Sequence, residues 1–275
     1  MNIVLVHGIL GFSHLRFPLS PIDYFSGVAK FLRERFQDAA VIAPAVDPTA
    51  GIETRSTMLR ASIEAALACD GLKPNKPIHI IAHSMGGLDS RRLISKGNFI
   101  ETNGRRTPIQ TLATIGTPHR GSPVADLVAL KFLDRIPFLA DALQEPEAAL
   151  SRVLGHFRIS LDGLHDLTSE SADHFNAANP NQAGVNYLSF AGGGRAGLVP
   201  TSGFFLPYYE FIKAHVRGRE VSDGVVAVSS AIWGTFDSNL WPGDHADEIG
   251  HDLDRPLATP PDETLDRYER IVLRF

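Results

Sequence analysis

Ile78-His79-Ile80-Ile81-Ala82-His83-Ser84-Met85-Gly86-Gly87-Leu88 is the stretch whose reading decides the fold. It begins as an apolar, β-branched run and ends in Gly-Gly followed by a helical pattern. One serine stands between them. A strand that passes straight into a helix through a single sharp turn forces the turn residue into a strained backbone conformation. Residues two positions to either side must then be very small, and here they are Ala82 and Gly86. This is the nucleophile-elbow pattern G-x-S-x-G with Ala in place of the first Gly. The turn lifts the Ser84 hydroxyl clear of the sheet. It also puts the Met85 N–H at a helix N-terminus, where developing negative charge is favoured.

Working outward, alternation of strand and helix surrounds this stretch. Ile3 to Val6 is an apolar run closed by His7-Gly8, as for a parallel strand buried on both faces. Helical spacing of Phe25, Val28, Leu32 and Phe36 predicts a helix from about Pro21 to Phe36. A short strand follows at Ala40–Ala43, ended by Pro44. A helix from about Glu53 to Ala68 presents Leu59, Ile63 and Leu67 on one face. After the Ile78–Ala82 strand comes a helix carrying Leu88, Arg91, Arg92 and Leu93. Thr111–Ile115 is the next strand, ended by Gly116-Thr117-Pro118. The expected fold class is therefore α/β, with a mostly parallel, doubly wound sheet and helices on both faces.

From Ser122 to about Ala178 the alternation stops. The segment reads as consecutive helices, strongly apolar at Val124–Leu133 and again at Phe138-Leu139 and Leu143. It is expected to be an insertion above the sheet, residues 122–178, within a single domain of residues 1–275. Thr168 is its expected N-cap for a helix reaching Ala178. Val185–Phe190 resumes a strand, Ala191–Pro207 reads as a Gly-rich loop, Val225–Val228 as a short strand and Trp241–His251 as a polar loop. Asp262 caps a last helix whose buried face holds Leu265, Tyr268, Ile271 and Val272.

Composition narrows the partners. At 275 residues, 44% hydrophobic and 21% charged, the chain resembles an ordinary globular protein. Its net charge of −5 and lack of a basic block speak against nucleic acid. The single cysteine, Cys69, excludes an intramolecular disulfide and a Cys-rich metal site. No run of about 18 apolar residues predicts a membrane span. Met1–Val6 already reads as a buried strand with no charged segment or cleavage site before it, which leads us to expect a cytoplasmic protein, or a secreted one if a signal has been removed.

Ser84 as nucleophile needs a base and a carboxylate to orient that base. In doubly wound hydrolases the chain order is Ser, then Asp or Glu, then His. Asp223, in Ser222-Asp223-Gly224-Val225-Val226, lies in a loop expected at a sheet edge, although Asp-Gly is also an ordinary turn dipeptide. Only His245 and His251 follow it. The oxyanion hole needs two backbone N–H donors. Met85 supplies one, and Ile9, after His7-Gly8, is the candidate for the other. Gly192-x-Gly194-x-x-Gly197 matches a dinucleotide fingerprint by spelling, but Leu198-Val199-Pro200 is no helix start, so it reads as a loop. Asp244, Asp247, Glu248 and Asp252 read as a solvated acidic loop.

His7-Gly8-Ile9-Leu10-Gly11-Phe12 and Ala82-His83-Ser84-Met85-Gly86-Gly87 resemble bacterial lipases of the α/β-hydrolase fold. So do Gly116-Thr117-Pro118-His119-Arg120-Gly121-Ser122, Asp166-Leu167-Thr168-Ser169-Glu170, Ser222-Asp223-Gly224-Val225-Val226 and His245-Ala246-Asp247-Glu248. The motifs are most similar to Pseudomonas/Burkholderia-type true lipases and run in family order along most of the chain. The resemblance implies Ser84, Asp223 and His245 as triad, Ile9 and Met85 as oxyanion donors, and the helical insertion as a lid. His119 belongs to one of these motifs and is read as structural. The resemblance also implies a structural calcium near the catalytic histidine. Asp247 matches one ligand, but His251 stands where the family has an amide, and no second aspartate ligand is found. Several hard oxygen ligands are needed, so no metal is expected, and no organic cofactor.

The expected activity is hydrolysis of carboxylic esters with apolar acyl chains through an acyl-enzyme. Acyl transfer or thioester cleavage by the same triad is an alternative, as is a catalytically silent binding protein on this fold. The expected partner is a small ester or lipid, with transient contact at a lipid surface.

Overall fold

The computed structural model describes residues 1–9, 14–17, 20–129, 161–193, 205–215, 221–252 and 262–275. Its main sheet grows from the apolar runs. β1 (Asn2–Val6) pairs with β4 (Ala40–Ile42) on one side and with β5 (Ile78–His83) on the other, both parallel. β7 (Arg105–Ile115), β8 (Asn186–Phe190) and β10 (Thr235–Phe236) continue outward from β5, again parallel. The order is thus β4-β1-β5-β7-β8-β10. Strand order reverses at β1, so a crevice opens beyond the carboxyl ends of β1 and β5. Those ends carry Gly8 and Ser84.

Alternation along each buried strand feeds two layers. Ile3 and Leu5 face a core shared with Phe25, Val28 and Leu32 on one side of the sheet, together with Tyr268, Ile271 and Val272. Val4 and Val6 face the other layer, with Leu59, Ile63 and Leu67 of α2 (Ile52–Ala68) and Leu93 and Ile94 of α3 (Met85–Ser95). Truncating a fully buried leucine such as Leu59 is expected to cost about 2–5 kcal/mol.

Several elements differ from the sequence reading. The helix expected from Pro21 begins only at Val28, because Ser20–Asp23 pairs antiparallel with His14–Phe17 and Gly27, at φ 76°, breaks the helical phase before α1 (Val28–Arg35). The strand expected at Val225–Val228 is a tight loop running into a helical turn, Val228–Ala231. Asp223 organises it, accepting the N–H groups of Val225 and Val226 on Oδ1 at 2.8 and 2.7 Å. An extra hairpin precedes Thr111: β6 (Phe99–Thr102) folds back on β7 through Asn103-Gly104, both with positive φ, the geometry of a two-residue hairpin turn.

Of the insertion, the described parts are the helices Pro123–Ala129, Leu161–His165 and Ser169–Ala178. Thr168 caps the last through its side chain, as expected. Asp126 ties the two ends together by bonding Ser169 at both N and Oγ. Leu130, Phe132, Leu133, Phe138, Leu139 and Leu143 lie outside the described residues, as do Gly194 and Gly197. Among the described residues no helix is long and apolar enough to cross a membrane.

Candidate active site

Ser84 joins β5 directly to α3 with φ 55° and ψ −133°, a strained conformation for a residue with a side chain. Its backbone is held on both sides. The Ser84 N–H bonds Ile115 O at 2.9 Å, and its carbonyl accepts from Thr117 Oγ1 at 2.8 Å. The space is tight enough to dictate composition. A Cβ on Gly86 would stand 2.5 Å from Val6 O, and one on Gly8 would stand 2.6 Å from Ser84 Cβ. Met85 is the first residue of α3, so its N–H has no intrahelical partner.

The loop after β1 is fixed from three directions. Val46 N–H donates to His7 Nε2 at 3.1 Å, so the His7 proton resides on Nδ1, which donates to Gly8 O at 2.8 Å. Burial, assisted by Arg55, holds His7 down at about 4, keeping it neutral. Arg55, fully buried in α2, donates to His7 O at 2.8 Å and to Gly8 O at 3.2 Å. Gly8 N–H donates to the Tyr24 hydroxyl at 3.0 Å. In a planar trans peptide the C=O and the next N–H point in opposite directions. With Gly8 O held by Arg55 and His7, the Ile9 N–H is directed away from them. The same Nη2, together with Nε, pairs with Oδ2 of buried Asp89 of α3, at 2.8 and 2.9 Å. Burial pushes the Asp89 carboxyl up to about 6 against the pull of Arg55.

Asp223 and His245 meet through two contacts. His245 Nδ1 lies 2.7 Å from Asp223 Oδ2, and His245 N–H donates to Asp223 O at 2.9 Å. Asp223 is buried, which pushes its carboxyl upward despite His245. Burial works against charge on His245 too, but Asp223 and Glu248 outweigh it and hold its pKa above the ordinary imidazole range. Among the described residues Ser84 and His245 are not hydrogen-bonded to each other. The His83 ring, next to Ser84 in the chain, packs 4.4 Å from the His245 ring. Such nucleophile–base contacts commonly tighten only when substrate binds.

Glu248 escaped the sequence reading, which placed it in a solvated loop. It is buried, with Oε1 accepting Gly192 N–H at 2.6 Å and Oε2 lying 3.0 Å from His83 Nε2 and 3.4 Å from His245 Nδ1. Its spacing of three from His245 was the available signal. Gly192, read as part of a loose loop, forms a short parallel bridge with Trp241 and has no room for a Cβ beside Glu248. His83, His245 and Glu248 bring ligand-type atoms within 4.8 Å of one another, the one group among the described residues able to hold a metal. Each already has a hydrogen-bond partner, His83 and Glu248 in one another and His245 in Asp223.

His251 places Nε2 2.9 Å from Tyr24 O. Asp247 Oδ2 accepts the Asp244 N–H at 2.8 Å, and Asp244 Oδ1 accepts those of Ala246 and Asp247. Burial, with Asp244 and Asp252 nearby, pushes Asp247 up to about 7. His119 is buried, stacked on Trp233 and bonded to Thr114 and Arg91, a packing role as expected.

The profile of a family described as "PGAP1-like alpha/beta domain" matches residues 52–200. The chain is 30% identical to triacylglycerol lipase 2 of Saccharomyces cerevisiae over 84% of its own length, and it spans 63% of the yeast protein. It is 28% identical to a triacylglycerol lipase of Vibrio cholerae, covering 90% of this chain and 78% of that one. The crystal structure of Staphylococcus hyicus lipase superposes with a TM-score of 0.70 at 18% identity, over 98% of this chain and 94% of that one. The fold is that of the α/β-hydrolase lipases.

Proposed function

Since the chain belongs to the PGAP1-like alpha/beta domain family, we propose that it is a serine carboxylic-ester hydrolase of lipase or esterase type. The contact that carries this reading is His245 Nδ1 to Asp223 Oδ2 at 2.7 Å, beside an elbow that strains Ser84. In this reading Ser84 Oγ attacks the ester carbonyl while His245 Nε2 takes its proton. The N–H groups of Ile9 and Met85 hold the tetrahedral oxyanion. Collapse breaks the C–O bond to the alcohol, which leaves with the proton returned by His245. Water, deprotonated by the same imidazole, then hydrolyses the acyl-Ser84 ester and frees the carboxylic acid. Asp223 keeps the Nδ1 proton in place and stabilises the imidazolium.

The names of the yeast and Vibrio relatives, both triacylglycerol lipases, favour glycerol esters with apolar acyl chains, as does the resemblance to Pseudomonas/Burkholderia-type lipases. The insertion at 122–178 would act as the lid and as the contact with a lipid surface. No organic cofactor is needed. The acidic loop is a poor fit to the calcium implied by that resemblance. His251, at the position of the family's amide, is engaged with Tyr24 O, and the Asp247 and Asp244 carboxylates are engaged with backbone N–H groups. A panel of p-nitrophenyl esters from acetate to palmitate, with Ser84→Ala as blank, tests the reading. Hydrolysis that rises with chain length supports it, and hydrolysis equal to the blank removes it. If the lid moves, turnover steps up where the longer esters pass their solubility limit.

A further inference from the structure

Below the triad runs a chain of buried groups that the mechanism above does not use. Gly8 N–H meets Tyr24 Oη at 3.0 Å, Tyr24 Oη meets His83 Nδ1 at 2.7 Å, and His83 Nε2 meets Glu248 Oε2 at 3.0 Å. The Tyr24 ring packs against those of His7 and His83, with centroids 5.5 and 5.8 Å away. We propose that Tyr24 is a positioning residue for ester hydrolysis, tying the oxyanion loop at Gly8 through His83 to the Glu248 carboxylate beside His245. The inference rests on the function proposed above.

Counting donors gives the chain a single direction. A backbone N–H can only donate, so Tyr24 Oη accepts from Gly8. A carboxylate can only accept, so His83 Nε2 donates to Glu248. Burial, with His245 beside it, keeps His83 neutral, so its Nδ1 carries a lone pair. Burial likewise keeps the Tyr24 hydroxyl protonated. That proton must go to His83 Nδ1, and every group in the chain is then satisfied. The reverse arrangement, with the proton on His83 Nδ1, would leave two donors facing Tyr24 Oη and its own proton without an acceptor. An unsatisfied buried donor is costly.

The consequence reaches the reacting atoms through Gly8. Its N–H is held by Tyr24 and its C=O by His7 and Arg55. These restraints together aim the following N–H, that of Ile9. Removing the hydroxyl frees one of them without changing ring packing. The oxyanion donor then has to be oriented during the reaction rather than before it. For comparison, deleting an oxyanion donor outright costs about 10²–10³-fold in kcat.

Glu248→Gln tests the direction of the chain. Gly192 N–H still requires an oxygen at the Oε1 position, so the amide nitrogen faces His83 Nε2 and donates to it. The His83 proton moves to Nδ1, and the chain reverses against Tyr24. Two measurements follow. In ¹⁵N-histidine-labelled protein, long-range ¹H–¹⁵N spectra should show His83 as the Nε2–H tautomer, switching to Nδ1–H in Glu248→Gln. In kinetics per fluorophosphonate-titrated site, Tyr24→Phe should lower kcat by about 10–100-fold, a smaller loss than that of a deleted donor. KM for a short ester should stay within about threefold, because the oxyanion forms only in the transition state. In the Glu248→Gln background the further loss from Tyr24→Phe should be at least about fivefold smaller than in wild type, as coupled sites require.

An Nδ1–H tautomer in wild type, an unchanged tautomer in Glu248→Gln, or losses that simply multiply would overturn the proposal. So would a Tyr24→Phe variant with lowered Tm but unchanged kcat per titrated site, the result of a purely structural role. The spectra do not depend on turnover. An expected tautomer in a protein that hydrolyses no ester would therefore remove the function proposed above while leaving the chain itself in place.

Discussion

Ser84 is carried by a strand buried at every position and a helix that starts on the next residue, whereas Asp223 and His245 come from two loops with little regular structure. The first half is held by backbone packing. Val6 O, His7 O and Ser84 Cβ crowd Gly86 and Gly8 so closely that no side-chain atom fits. The second half is held by side chains bonded to backbone: Asp223 to Val225 and Val226, Asp244 to Ala246 and Asp247, Glu248 to Gly192. A region fixed by volume responds to mutation by losing stability. A region fixed by charged hydrogen bonds responds through proton affinities.

The largest expected effects delete one reacting group from each half. Ser84→Ala and His245→Ala should each lower ester hydrolysis by about 10⁴-fold or more with the fold intact, because members of such a unit fail together. His251→Ala, whose ring bonds Tyr24 O instead, should keep most activity. Near-normal turnover in Ser84→Ala, or a reversal of the two histidines, would break the division into halves at once.

Next in size is Arg55→Met, which touches only the nucleophile half. It leaves buried Asp89 without its cation, the His7 carbonyl without its Arg55 donor and the Gly8 carbonyl with His7 Nδ1 as its remaining donor. Breaking a buried pair from one side costs about 3–5 kcal/mol. Denaturant unfolding should register a loss of that order, and a loss below about 1 kcal/mol would mean that packing alone holds the loop.

A smaller effect singles out the acid–base half. In the proposed mechanism His245 acts as a base only when neutral, and Asp223 and Glu248 raise its pKa. Activity should therefore fall as pH drops through a value above 6.5, the unperturbed imidazole pKa. Glu248→Gln removes one of the two charges and should move the acid limb of kcat/KM downward by about one pH unit. Thr117→Ser, in the nucleophile half, should leave the limb where it is. A limb unmoved by Glu248→Gln would show that this carboxylate does not act on His245.

Smallest of all is the response to chelation. Hard cations need several oxygen ligands, and the Asp247 and Asp244 carboxylates already accept backbone N–H groups. EDTA should leave activity and Tm unchanged. A loss restored by calcium would add a metal to the acid–base half.

The same division explains what could be read from sequence. The strands at Asn2–Val6 and Ile78–His83, the helix at Ile52–Ala68 and the elbow follow from apolar periodicity and small residues, which report backbone packing. His245 and Asp223 could be ordered along the chain, but their environment could not be inferred. Asp223 builds a turn from its own side chain, so Val225 and Val226 looked like a strand because of their composition. Glu248 looked solvated because nothing local shows that Gly192 and His83 arrive from distant strands to meet it. Tyr24 was hidden for the same reason, within a helix expected to begin too early. The hairpin at Asn103-Gly104 is legible as an Asn-Gly turn, but strand–helix alternation by itself gives no sign of an antiparallel pair.

In the proposed mechanism two differently built halves converge to activate one serine. The most direct measurement is fluorophosphonate labelling followed by peptide mass spectrometry. A single adduct is expected on Ser84 in the wild-type protein, none in Ser84→Ala, labelling at least about 100-fold slower in His245→Ala, as expected for loss of a general base, and near-normal labelling in His251→Ala. An adduct on another residue, or a His245→Ala variant labelled as fast as wild type, would contradict it.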